Sequence, residues 1–600
     1  MAEAGAATEK PSKWRALGLA LRNRKTAFMA VFGFASGLPF ALFLGTLYAW
    51  LTEAEVDLET MGVFSLIGLA YAFQFLWSPL VDRVDIPALR KLGKRKQWIA
   101  PMQLLLGVIL VTMSLLDPGT QLGWFSLLAG IGAFASATQD IVINAWRIDV
   151  ADEEATIDIL STVTQMGFRL AALVGGALGL IIAERIGWPQ TYVVMGVIML
   201  AIGVAGLFAP DADVDRAAAM SEHAERTAEL YEAGELEPRI RNRALLAVGL
   251  LWGWAIVIMV IFMIRALGGF IPLMTTSSIS VFGSSWVIDP NFLLGMFALN
   301  EEGRPDVTEF TTVMGPLVIM ATIVIPAAIA AWLVRLKRDG RHVIREGRAA
   351  DRHDGLILDQ LYRALLLPLV EFVGRMGWSI VLVLALVLTY RITDAIWGTF
   401  AYPFYLGELE YTLDEVAVAS KFFGVGAIIL GLALGGWMIT AIGRMFTLTL
   451  GAFLAAVTNL LYADLARGGG AMQVVSDVIG FTWAVNQFPG GSDRLARLMI
   501  VIGGENLAIG IAGAAYIAWL SSIVAKGYSA VQYALLASLT LLVGTLGRGA
   551  LGEMIEERGY YDVFIFTMLI GFVAVVLCIL EWIREHRAGA RSGVVAPDAG

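Results

Sequence analysis

Apolar stretches of roughly twenty residues recur along this chain, each long enough to cross about 30 Å of hydrocarbon as a helix. They fall at 27–50, 60–80, 98–116, 122–146, 160–183 and 190–208, and resume at 244–267, 312–335, 379–402, 416–440, 445–463, 497–523, 530–552 and 562–583, about fourteen in all. A backbone inside lipid must satisfy its own polar groups, which confines such a chain to an all-α polytopic membrane fold. Composition agrees: 58% of the 600 residues are hydrophobic and 16% charged, against about a quarter charged in soluble domains.

Basic residues near span ends orient the chain. Lys10, Lys13, Arg15, Arg22, Arg24 and Lys25 precede a full-length span and no small-residue cleavage site, so the first helix is expected to remain, with the N-terminus cytoplasmic. The 81–97 loop is basic (Arg83, Arg90, Lys91, Lys94, Arg95, Lys96), whereas 51–59 carries Glu53, Glu55, Asp57 and Glu59 with no basic residue. The alternation places 209–243, 336–378 and the tail inside, and 268–311, with Arg304 alone, outside. Segment 356–373, "LILDQLYRALLLPLVEFV", reads as an interfacial amphipathic helix or as a fifteenth span; Asp359, Arg363, Pro368 and Glu371 favour the first.

The spans group as 6+2+6. This gives a cytoplasmic arm (1–26), an N-terminal six-helix half (27–208), a cytoplasmic linker (209–243) and an inserted hairpin (244–335) with its outer loop (268–311). An amphipathic cytoplasmic linker (336–378), a C-terminal six-helix half (379–583) and a cytoplasmic tail (584–600) follow. Each half has a Gly-basic turn between its second and third spans, and "GGALG" (Gly175, Gly179) and "GLALG" (Gly431, Gly435) supply faces on which helices can approach closely. Paired six-helix halves are a common layout of secondary transporters, with the substrate site near the midplane. In the first span Gly33, Gly37 and Pro39 predict a kink that either packs or gates.

Ionisable groups in hydrocarbon cost several kcal/mol and are turned inward as functional candidates. In "ASATQDIVINAWRIDV", Asp140, Asn144 and Arg147 fall within roughly 60° of one another at about 100° per residue, with Gln139 to one side. Asp140 and Asn144 are expected to line the interior; Arg147 and Asp149, near the cytoplasmic end, to snorkel or anchor a loop. Gln165 and Arg169 are spaced i,i+4, and Arg391 and Asp394 i,i+3, where an ion pair that only locks helices would look the same. Glu505 and Asn506 lie several residues inside their span, and Glu505 is the best candidate for a proton-carrying carboxyl. Lys421, Gln532 and Arg548 lie nearer span ends and rank lower. These groups are expected to converge on one hydrated chamber between the halves.

Other chemistry finds no residues. There is no GxxxxGK[ST] motif for ATP, and the four histidines (His223, His342, His353, His586) lie outside the spans with no metal-ligand spacing. Cys578 stands alone, and the net charge of −9 is spread over both faces, which points to no nucleic acid. The expectation is a non-enzyme with no cofactor and no metal, driven by a gradient for which membrane carboxyls suggest protons.

The segments "FGFASGLPFALFLGTLYAWL", "FLWSPLVDR", "SATQDIVINAWRIDV", "GFRLAALVGG", "PLVEFVGR", "YRITDAIWGT" and "ENLAIGIAGAAYIAWLSSI" resemble the AmpG-type muropeptide permeases of the major facilitator superfamily. They keep order and span position in both halves. The resemblance implies proton-driven import of anhydromuropeptides across the bacterial inner membrane for cell-wall recycling. It places Gln139 and Asp140 in a sensitive part of the fourth helix and matches Arg169, Arg391, Asp394, Glu505 and Asn506 to motif positions. Gln139, Asn144, Gln165, Arg169, Arg391 and Asn506 are thus candidates for substrate binding, and Asp140, Asp394 and Glu505 for proton coupling. Asn144 stands where the resemblance implies an acidic residue, and the central hairpin and its outer loop are additions to the family pattern. The wider group includes acetyl-coenzyme A and drug transporters, so another amphiphilic anion remains an alternative substrate. A non-transporting receptor or scaffold is the alternative of a different class.

Overall fold

The computed structural model describes the chain apart from residues 1–21, 57–67, 211–234, 269–277, 288–313, 345–361, 392–399 and 592–600 and a few positions beside them. Eleven helices among the described residues are long and apolar enough to cross a membrane, or twelve if one bent pair counts as a span. We label α1 (Arg24–Glu53), α2 (Lys96–Met113), α3 (Leu122–Val150), α4 (Ile157–Ile186), α5 (Trp188–Gly206), α6 (Pro238–Gly268), α7 (Gly315–Arg338), α8 (Leu367–Met376), α9 (Ser379–Thr389), α10 (Asp414–Ala441), α11 (Arg444–Ala466), α12 (Asp493–Ser522) and α13 (Ser529–Arg591), the last being two helices that meet at a break at Gly559 (φ +77°). Eleven of the fourteen expected spans have such a helix, and the bent pair occupies the ninth. The expected spans 60–80 and 530–552 fall partly on residues outside the description.

The two sets of helices pack alike. In the first, α1 lies on α4, and α2 on α3 and α5; in the second, α9 lies on α13, and α11 on α12 and α13. Small residues set the closeness. A Cβ on Gly33 would stand 2.4 Å from the Thr164 carbonyl oxygen, and one on Gly37 2.5 Å from that of Phe168. The counterpart contact joins α10 to α12, where a Cβ on Gly431 would meet the Leu507 carbonyl at 2.3 Å and one on Gly435 the Ile511 Cα at 2.9 Å. Gly175 faces Leu38 and Ala41 of α1 at 3.0 and 3.2 Å, while Gly179 has ordinary room beside Thr46 at 3.5 Å. These glycines act in packing, with backbones meeting where a side chain would hold helices apart. The kink expected in the first span takes a definite form: Pro39 is followed by a π-helical segment, Leu42–Thr46, before the helix resumes. A proline lacks the donor that keeps the α register, and the wider turn absorbs the mismatch.

Segments read as lying on one side do meet. Glu235–Leu236, after the first linker, pairs antiparallel with Val343–Ile344 in the second. Lys25 Nζ reaches Asp152 at 2.6 Å, and the 81–97 loop reaches the end of α3. We call this side the basic face. The segment expected to lie in the interface forms α8, which ends at Gly377 (φ +56°) and bends by 107° into α9. It does not rest on lipid alone: Pro368, Leu369, Phe372 and Val373 are buried in the protein.

Candidate functional site

The strongest polar constellation lies at the basic face, where the two sets of helices meet. The short helix Ser78–Arg83 carries Asp82, Arg95 caps the start of α2 after the intervening loop, and α3 contributes Asp149 in its last turn. Arg95 forms an ion pair through Nη2 with Asp82 at 2.9 Å and donates through Nε to Asp149 at 2.8 Å. The same guanidinium donates to Ser529 Oγ at 2.8 Å, and Ser529 donates to the other Asp149 oxygen at 2.8 Å. The backbone N–H of Val531 closes the network on Asp82 at 3.1 Å. Ser529 and Val531 open α13, so the N-terminal dipole of a C-half helix rests against an N-half carboxylate. All three charged side chains are at most 2% exposed. Burial alone would lower the Arg95 pKa; the two carboxylates outweigh it and raise it above its usual value. Arg95 therefore stays charged, as buried ions do when paired.

Neighbouring contacts extend the closure. Arg147 donates to Ser521 Oγ at 3.0 Å and stacks over the Tyr533 ring at 5.0 Å, Lys526 reaches the Ala151 carbonyl at 2.7 Å, and Arg444 grips Asp158 through two bonds at 2.8 and 3.2 Å. This corrects one expectation. Arg147 does not snorkel but is fully buried at the seam, whereas Asp149, equally buried, does anchor the 81–97 loop through Arg95. Their helix end is covered by α12 and α13, which one-dimensional span position could not reveal.

Deeper groups fall into separate networks, one in each half. Asp140 accepts from Ser36 Oγ of α1 at 2.5 Å, and Asn144 turns back to donate to the Asp140 carbonyl at 2.8 Å. Gln139 is fully buried and donates to the Ala35 carbonyl at 2.6 Å, which ties α3 to α1. Tyr71 donates to Ser136 at 2.7 Å, and Trp77 to Thr138 at 3.1 Å. On α4, Gln165 and Arg169 are half-buried beside the Gly33–Thr164 contact.

In the C-half, Glu505 accepts from the Tyr462 hydroxyl, and Tyr462 shares a 2.9 Å bond with Tyr405. Asn506 donates to the Ile502 carbonyl at 2.8 Å and lies against Gly424. Arg391 follows α9 directly, beside the Tyr390–Tyr516 stack (4.8 Å between ring centroids), and its charge reaches the Tyr516 phenol. Asp394 lies outside the described residues. Sequence reading missed Tyr405 and Tyr462, which a scan for ionisable groups passes over, and ranked Gln532 low although it is 2% exposed and fully bonded. Among the described residues no group of three or more His, Cys, Asp or Glu could hold a metal ion.

Two packed sets of apolar helices, with polar networks inside each and a charged network joining them on one face, make an all-α polytopic architecture. Comparison with known proteins is more specific. Residues 27–181 match the family described as Acetyl-coenzyme A transporter 1. Over 188 residues the chain is 44% identical to the anhydromuropeptide permease of Escherichia coli (strain K12), a match covering 31% of this chain and 38% of that protein. The chain thus spans well under two thirds of that relative. A weaker likeness runs end to end, 23% over 549 residues, to the AmpG 4 transporter of Rickettsia conorii, covering 91% of this chain and 94% of that one. Among solved structures, a double-Trp variant of XylE aligns over 92% of this chain and 94% of its own, with 12% identity and a TM-score of 0.49. The sequence relatives are thus named as permeases and transporters both in the local match and in the end-to-end one.

Proposed function

We propose that the chain is a proton-coupled secondary transporter that imports anhydromuropeptides across the bacterial inner membrane, with its basic face and both termini in the cytoplasm. The observation that carries the reading is the Arg95 network: a desolvated charged closure at the seam is what alternating access requires of a carrier held shut on one side, and a rigid scaffold has no use for it. The likeness to the Escherichia coli anhydromuropeptide permease supports the substrate.

The residues suit that cargo. A muropeptide offers hydroxyls and amides to Gln165, Asn144 and Asn506, and peptide carboxylates to the planar guanidinium donors of Arg169 and Arg391. Gln139 serves by holding α3 on α1. For the proton, Glu505 is the carrier: ionised, it accepts from Tyr462; protonated, it becomes a donor, and the Tyr462–Tyr405 pair must find another arrangement. Asp140, held by Ser36 on the gating helix α1, and Asp394 are the further coupling candidates.

Counterflow into proteoliposomes tests the substrate. Labelled anhydromuropeptide should exchange, accelerated by an inward proton gradient. The match to the acetyl-coenzyme A transporter family favours a second reading; exchange of acetyl-coenzyme A alone would establish it, and no exchange of either would return the chain to a scaffold role.

A further inference from the structure

We infer that the inserted hairpin α6–α7 is a brace laid across the seam that carries the Arg95 network, and that Trp252 and Glu371 are positioning residues for that gate. The inference rests on the carrier reading and gives a role to a segment outside the family pattern.

The hairpin touches both halves. Along α6, Val248, Trp252, Ala255 and Ile258 are buried, while Leu246, Leu250 and Val257 are more than half exposed. Spacings of three and four put the buried set on one helix face, turned to protein, with the other left to lipid. Trp252 meets Phe75 of the N-half edge-on at 6.2 Å, and its indole N–H donates to the Thr322 carbonyl of α7 at 2.9 Å. One side chain therefore fixes the hairpin internally and seats it on the segment that leads to Asp82.

The opposite side of the hairpin faces the C-half. Ile323 and Ala327 of α7 line a narrow, mostly apolar groove with Phe372 of α8, Leu384 of α9 and Leu535 and Leu539 of α13. At the foot of the groove, Arg338 donates to the Gly374 carbonyl of α8 at 3.0 Å. From α8 the contacts run to the turn between α12 and α13. Arg375 donates to the Ile523 carbonyl at 2.7 Å and to Glu371 at 2.9 Å, and Glu371 accepts from Gln532 at 2.6 Å. Gln532 also donates to the Pro368 carbonyl at 2.9 Å and accepts from the Ala525 N–H at 2.9 Å.

The turn 523–532 is thus gripped twice. The N-half holds it through Ser529 and Val531, and α8, itself held by the hairpin, holds it through Ile523 and Gln532. Opening the basic face must part the Phe75 segment from α13. A hairpin seated on both can follow only one of them, so the other contact must slide or break, and the closed arrangement is favoured.

The test reads conformation without any substrate. In the full-length chain carrying Cys578→Ala, spin labels at Glu153→Cys and His586→Cys, both exposed on the basic face and on opposite halves, report the opening as a distance distribution in lipid nanodiscs. Trp252→Ala should raise the long-distance population at least threefold, Glu371→Gln should raise it by a smaller factor, and Trp252→Phe, which keeps the ring on Phe75, should stay close to the parent. A parental distribution in folded Trp252→Ala and Glu371→Gln, with only the melting temperature lowered, would reduce the hairpin to a stabilising appendage and overturn the inference. If Trp252→Ala does not fold, Glu371→Gln decides the matter by the same readout. Failure of counterflow with an altered distribution would strike the carrier reading and leave the brace standing.

Discussion

The two ends of this molecule are held by different chemistry. At the basic face, hydrogen bonds from Arg95, Arg147, Arg444 and Lys526 cross from one half to the other. Toward the opposite face two aromatic clusters each lie within one half. Trp50 stacks on Trp188 at 6.3 Å and packs on Tyr192 at 4.6 Å within the N-half, while Phe404, Tyr405, Tyr462 and Phe564 form an aromatic cap within the C-half. Apolar ring packing is non-directional and belongs to each half's core. Charged hydrogen bonds are directional and are lost together when their partners separate. The difference teaches where the molecule is bolted and where it is merely folded.

The largest expected effect breaks the bolt. Arg95→Ala leaves Asp82 and Asp149 buried without their cation, a loss of about 3–5 kcal/mol by analogy with broken buried pairs. Thermal unfolding in detergent should show it, and an unchanged melting temperature would mean that the network is solvated and not a closure. Next comes the fold within a half. Gly431→Ala drives a methyl to 2.3 Å from the Leu507 carbonyl, which should cost about 1–3 kcal/mol of stability by overpacking without opening the basic face to a membrane-impermeant thiol reagent at an introduced Ala151→Cys. Labelling that rises in this variant would merge the two regions that the comparison keeps apart.

A third prediction sharpens the comparison at the C-half network. Glu505→Gln should reduce pH-driven uptake by roughly tenfold or more, about 1.4 kcal/mol in the coupled step, and leave substrate-for-substrate counterflow nearly intact. Equal loss of both would make Glu505 a binding group instead of a proton carrier. The smallest effect is at the rim. Burial is the largest single influence on Asp152 and raises its pKa, but the Lys25 ammonium and the Ala155 and Glu154 N–H groups together outweigh it and hold the carboxyl below the usual range. A depressed carboxyl stabilises the fold at pH above the unfolded-state value, and that contribution disappears as pH falls through the folded-state value. Being about a third exposed, the pair is worth only about 0.2–1 kcal/mol. Asp152→Asn should lower the melting temperature marginally at pH 7 and not at all in strong acid; a large change at pH 7 would place this rim pair with the buried bolt.

Span number and interior candidates were legible because hydrophobic length and charge inside it are local properties. Gly33, Gly37, Gly431 and Gly435 were legible for the same reason, since a small residue at helical spacing has few uses in lipid besides close approach. The Arg95 network was not, although Asp82 and Asp149 stand in quoted motifs: Asp82, Arg95, Asp149 and Ser529 lie as much as 447 positions apart, and nothing local says that they meet. Arg147 was misread for a related reason. A charge one turn from a span end looks solvated until another helix covers it.

The sequence by itself determined that this chain crosses a bilayer many times, which of its faces is basic, and which polar groups had to be turned away from lipid, because those outcomes follow from the transfer cost of each segment taken alone. Only the tertiary structure decided which charges pair, that Asp140 and Glu505 are held in separate halves, and that the inserted hairpin spans the seam. Those are contacts between residues far apart along the chain, fixed by how helices pack and not by what any one helix prefers.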